Sequence, residues 1–110
     1  MKRIVMVSAL LMALPVHAEL FQCQNVTFTD VTVEGPRDDG FVLQNKLVVK
    51  FSPACGGMER AHLSIADPLF NGFLSIALVI KTTGGKADIA VNTSEQTSFS
   101  NKLAYISIPQ

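Results

Sequence analysis

The spacing of apolar and polar residues changes several times along the chain, and each change predicts an element. Met1-Lys2-Arg3 leads into an apolar run from Ile4 to Leu14, closed by Pro15-Val16-His17-Ala18. A charged start, an apolar middle and small residues at Val16 and Ala18 mark a cleavable secretory signal, with the cut expected between Ala18 and Glu19. The apolar stretch is too short for a hydrocarbon layer of ~30 Å, and no later run offers the ~20 apolar residues a spanning helix needs, so no membrane span is expected. Leu20-Phe21-Gln22-Cys23 fails as a lipid-attachment site, because the residues before the cysteine are bulky and Ala18 offers the better cut.

From Val26 the period becomes two. Val26-Thr27-Phe28 and Val31-Thr32-Val33 alternate as in a half-buried strand, and the apolar set moves from even to odd positions across Thr29-Asp30, which predicts a bulge there. Gly35-Pro36-Arg37-Asp38-Asp39-Gly40 is a turn by composition. Asp38 and Asp39 belong to that turn rather than to a cation site, since no calcium-loop spacing surrounds them. The next strand sets Phe41, Leu43, Leu47, Val49 and Phe51 on one face, with Gln44, Lys46, Lys50 and Ser52 largely on the other. Pro53 to Gly57 reads as a loop. Ala61, Leu63 and Ile65 then alternate with His62, Ser64 and Ala66 as a third strand, which puts His62 on the polar, exposed face.

After Asp67-Pro68, a good helix start, Phe70, Phe73, Leu74, Ala77 and Leu78 recur at helical spacing up to Lys81, and Gly84-Gly85 suit a left-handed stop. The pattern predicts a helix from 68 to about 82. A strand from Phe73 to Thr82 is the rival, because Leu74, Ile76, Leu78 and Ile80 also alternate. Ala87 to Val91 is a short strand, Asn92 to Asn101 a polar loop, and Leu103 to Ile108 a last strand ended by Pro109. The order is βββαββ. It fits a mainly β, α+β fold: a five-stranded Greek-key barrel of the oligonucleotide/oligosaccharide-binding (OB) type, closed at one end by the helix, in one domain over residues 19–110.

Composition adds a staple and removes several functions. Cys23 and Cys55 are the two cysteines of the chain, and export would place them where disulfides persist, so they are expected to pair. No C-x-x-C occurs, and two thiols with one histidine after residue 18 do not complete a tetrahedral metal site, so no metal or other cofactor is expected. Removing the signal takes the nine basic residues to seven against nine acidic ones, spread without a basic stripe, which argues against nucleic acid as a partner. Glu59, Asp67 and Asp88 lie on separate elements, and no serine sits in a nucleophile elbow, so catalysis is not expected.

The stretch Phe73 to Val91, followed by Leu103-Ala104-Tyr105-Ile106-Ser107-Ile108, resembles a broad group of small exported bacterial proteins in which a helix ends in Thr-Gly or Ser-Gly, a strand follows and a last strand closes. That group is similar in layout to the B subunits of bacterial AB toxins, which are OB-type barrels that form rings and bind cell-surface glycans. The resemblance covers roughly residues 26–108 and implies a bacterial exported protein, compatible with a homo-oligomer. Many members pair a cysteine near position 55 with one before the last strand, whereas Asn92 to Asn101 contains none and Cys23 is the available partner here. The resemblance assigns no binding residue.

These readings lead to a secreted or periplasmic, non-catalytic binding protein. The candidate ligand loop is the hydroxyl- and amide-rich Asn92 to Asn101, with Asn92, Gln96, Phe99 and Asn101 as the residues to contact a glycan or protein partner. The alternative is a periplasmic inhibitor, immunity or envelope-assembly protein that binds another protein.

Overall fold

A computed structural model describes residues 19–109; the expected signal segment and the Ala18 side of its cut lie outside the described residues. The elements run β1 (Leu20–Glu34), β2 (Lys46–Cys55), β3 (Met58–Ser64), α1 (Phe70–Thr83), β4 (Lys86–Asn92) and β5 (Asn101–Ser107). The strands close into a barrel in the order β1-β2-β3-β5-β4, with β3 and β5 parallel and the other pairs antiparallel. This is the expected βββαββ barrel of OB layout. The helix resolves the ambiguity over residues 73–82 and packs mainly on β1, with further contacts to β5 and β2.

Strand β1 begins six residues before the alternation that predicts it. Its first part, from Leu20, pairs with β4, and its second part, from Thr27, pairs with β2, so one strand serves two sides of the barrel. Two irregularities make this work. The register against β2 shifts between Phe28 and Asp30, at the expected bulge. A second shift against β4 falls between Cys23 and Val26, where Asn25 takes φ 58° and its N–H donates to Asp88 Oδ1 at 3.0 Å. Each shift changes which parity faces inward, from Cys23 to Val26 and Phe28 and then to Val31. The second break hides the continuation toward Leu20 from a simple period-two reading.

The second strand is shorter at its start than expected: it begins at Lys46, not Phe41. Asn45 stands on the otherwise apolar parity and adopts φ 57°, and the Gln44 N–H donates to the Phe41 carbonyl in a turn. Leu43 is buried from that turn rather than from a strand. At its other end β2 continues through the expected loop to Cys55, and Gly56-Gly57, at φ 62° and 82°, form a two-residue reversal into β3. β3 ends at Ser64, leaving Ile65 outside the sheet and exposed.

The helix starts at Phe70, two residues later than expected. Asp67 does accept a backbone N–H, but from Leu69 at 2.8 Å, making a turn ahead of the helix; Leu69 occupies the cap position without a side-chain bond. The stop is as expected: Gly84 is left-handed at φ 69°, its N–H reaches the Ile80 carbonyl, and Lys81 lies in the last turn.

The core is one cluster. Val26, Phe28, Leu47, Val49, Phe51, Ala61, Leu63, Ile89, Val91 and Leu103 fill the barrel, and Ala77 and Ile80 plug it from the helix. Each large side chain enclosed this way contributes ~1.5–3 kcal/mol. The Cys23–Cys55 disulfide joins β1 to the end of β2 with the Cα atoms 6.0 Å apart, inside the range such a bridge requires. Among the described residues, no helix is long and apolar enough to cross a membrane.

Candidate functional site

Alternation on β2 and β3 sends Leu47, Val49, Ala61 and Leu63 into the barrel, which turns Lys46, Val48, Lys50, Arg60, His62 and Ser64 to its outside. The register sets these in rows across the sheet: Glu34–Lys46–Ser64, Thr32–Val48–His62 and Asp30–Lys50–Arg60. An outer face should be wet, yet Val48 is 8% and His62 3% exposed. The β4–β5 connection, residues 93–100, covers it. His62 Nδ1 lies 2.7 Å from Ser100 Oγ, and Ser100 is itself fully enclosed. The expectation of a surface histidine is therefore corrected: His62 does occupy the outward parity, but a loop distant in sequence roofs it.

The β1–β2 connection, residues 35–45, meets that roof. Phe41 stacks on Phe99 with ring centroids 6.2 Å apart and planes 24° from parallel. A guanidinium flanks each ring: Arg37 lies 4.5 Å from the Phe41 centroid and Arg60 5.6 Å from that of Phe99. Such contacts contribute about 0.5–1 kcal/mol each at exposed sites. Arg37 is held from below by Asp39, through Nε–Oδ1 at 3.1 Å and Nη2–Oδ2 at 2.6 Å, and by Glu34 at 3.3 Å. The Arg37 hydrogen bonds keep the Asp39 carboxyl below its usual range, helped by the Phe41 N–H that donates to it. Thus Asp39 acts as a turn residue and anchor for Arg37. Arg60, by contrast, has no carboxylate partner among the described residues.

The four loop residues singled out from sequence have different fates. Phe99 is half-buried in the aromatic stack, and Gln96 is exposed on the same loop. Asn92 ends β4, paired with Leu20 and Lys102. Asn101 is fully buried: Nδ2 donates to the Cys55 and Gly56 carbonyls, both at 3.2 Å, and Oδ1 accepts from Gln96 Nε2 at 2.9 Å. It is a clamp tying the loop to the Gly56-Gly57 reversal, with no free group for a ligand. Arg37, Phe41 and Arg60, which the sequence pattern does not single out, are the additional members of the surface. Arg60 is readable as an outward residue of β3; the meeting of Phe41 with Phe99 is not, because it joins two connections 58 positions apart.

The Ser100–His62 separation is within reach for a nucleophile and its base. Its setting is wrong for that role, since the hydroxyl is sealed under the loop and a substrate carbonyl has no approach to it. Among the described residues, no group of three or more His, Cys, Asp or Glu side chains is placed to hold a metal ion. No protein-family model matches this chain, and no curated protein matches it.

Proposed function

We propose that this chain is an exported, non-catalytic recognition domain that binds a glycan on the surface formed by residues 35–45, residues 93–100 and the adjoining end of β3. The observation that carries this reading is the Arg37–Phe41–Phe99–Arg60 stack. In OB-type barrels the loops equivalent to these flank the face used for oligonucleotides and oligosaccharides. Aromatic rings supply apolar area, while Arg60 and the amide of Gln96 supply donors for hydroxyl or carboxylate oxygens. The basic groups around it, Arg37, Lys46, Lys50, Arg60 and Lys102, are interleaved with Asp30, Glu34, Asp39 and Glu95, and this mixed charge favours a sugar over a nucleic acid backbone.

Export rests on the leader-like start together with the Cys23–Cys55 bridge, which suits an oxidising compartment. A glycan array comparing the wild-type protein with Phe99→Ala and Gln96→Ala tests the binding reading: signals in the wild type that fall in both variants support it, and identical profiles overturn it.

A protein partner is the second reading, and one feature favours it. Leu78 and Val79 are 46% and 48% exposed on the side of α1 away from the barrel, and Leu69, just before the helix, is 64% exposed. A complex whose formation is abolished in Leu78→Ser but kept in Phe99→Ala would favour that reading.

A further inference from the structure

We propose that His62 and Ser100 form a proton-operated latch, which holds loop 93–100 on the barrel when the imidazole is neutral and releases it when the ring takes a second proton. The latch regulates the surface proposed above and, as a regulator of binding, rests on that reading; as a mechanical device it does not.

The geometry is unusual for a strand histidine. His62 points out of the barrel, but Ser100 closes over it at 2.7 Å, and Val48, its cross-strand neighbour, is buried beside it. Its charged surroundings come from every element that packs there. Lys46 faces it from β2, Lys102 is its register partner on β5, and Glu95 approaches from the loop; on β1 the corresponding position is the uncharged Thr32. Glu95 is already engaged by Lys102 Nζ at 3.2 Å, so its carboxylate is shared. Burial is the first reason that the ring is held below its ordinary pKa of 6.5, with Lys46 and then Lys102 adding to it and the Glu95 carboxylate and backbone opposing. The neutral ring has one nitrogen that donates and one that accepts, and a second proton makes both donors, so that Ser100 Oγ can then only accept from Nδ1. The new charge would be enclosed with two lysines nearby.

With the roof down, His62 is 3% exposed, so full hydration of a charged ring requires the roof to lift. The roof carries Phe99, so its release separates Phe99 from Phe41 and from Arg60, and dismantles the stack. The loop is also tied to the barrel by Gln96 to Asn101, by Glu95 to Lys102 and by the Thr93 N–H to the Glu19 carbonyl; among side chains, histidine is the one whose ordinary pKa lies closest to neutrality. Acid therefore acts through His62. The proposed surface is intact at neutral pH and opens in acid, on the low side of histidine's ordinary 6.5.

The test needs no ligand. NMR titration of the His62 ring from pH 7.5 to 5, with amide-exchange protection of residues 94–100 and the Phe41–Phe99 nuclear Overhauser effects followed alongside, reads the latch directly. The expected result is a His62 midpoint below that of a free histidine, with loop protection and the signals between the two rings disappearing through the same transition. His62→Asn, which keeps a neutral partner for Ser100, should retain protection across the whole range. A second variant guards against misfolding of the first: Lys46→Gln should move the wild-type transition to higher pH. Loop protection that is unchanged down to pH 5, or that disappears equally in His62→Asn, overturns the latch. The glycan array at pH 7.5 tests the binding reading separately, so a silent array with a working latch condemns only the binding reading.

Discussion

Replacing Asn101 with alanine tests whether the loop is clamped to the barrel as described. The side chain is fully buried and makes three hydrogen bonds, two to the Cys55 and Gly56 carbonyls and one from Gln96. A net hydrogen bond contributes ~1 kcal/mol, and a buried acceptor left without a partner costs ~1–3 kcal/mol. Gln96 is exposed and recovers a water, so its share is small; Cys55 is 1% exposed and its carbonyl loses a donor in a dry setting. Asn101→Ala is therefore expected to cost about 2–4 kcal/mol, a large part of the ~5–15 kcal/mol typical of a whole domain. Urea unfolding followed by far-UV circular dichroism measures it as a lower midpoint with an unchanged slope. Gln96→Ala, measured in parallel, should lose at most ~1 kcal/mol. If Asn101→Ala unfolds within ~0.5 kcal/mol of the wild type, the carbonyls do not depend on it and the clamp is refuted.

Three further outcomes rest on the same geometry. Reducing the Cys23–Cys55 bridge, which closes a separation of 32 residues, should lower stability by ~3–4 kcal/mol on the loop-entropy account, read as a urea midpoint with and without reductant; an unchanged midpoint would count against it. Gly56→Ala places a Cβ 2.8 Å from Asn101 Nδ2 at a φ of +62°, and should cost at least ~1 kcal/mol in the same urea assay, whereas Gly57→Ala, with open space around it, meets only the backbone penalty. Because the His62 pKa is depressed in the folded state, the native form binds fewer protons than the unfolded chain near pH 6; His62 thus contributes stability that is full above about pH 7 and declines as the pH falls below 6.5, a slope that thermal melts should show in the wild type and not in His62→Asn.

Much of the barrel was legible because its signals are local. Alternation in Val26 to Phe28, Leu47 to Phe51 and Leu103 onward marks the strands, the parity change after Phe28 marks the bulge, and Gly84 marks the helix end. What was not legible depends on contacts between distant segments. Leu20 to Asn25 looks unpatterned until β4 pairs with it and Asn25 resets the parity. His62 has the sequence context of a surface residue, and only the return of the chain 38 positions later, at Ser100, encloses it. Asn101 looks like loop polarity and is a buried clamp for the same reason. The candidate surface was half legible: Phe99 stands out within its loop, but its partners Phe41 and Arg60 belong to elements whose proximity only the barrel closure creates.

The central claim is that ligand is held at the paired aromatic rings between the two loops. Chemical-shift mapping at pH 7.5, using isotope-labelled protein and the strongest-binding oligosaccharide from the array, measures this most directly. The largest changes are expected at Phe41, Arg60, Gln96 and Phe99, with α1 unaffected. Changes confined to Leu69, Leu78 and Val79, or spread over the barrel with residues 93–100 silent, would contradict it.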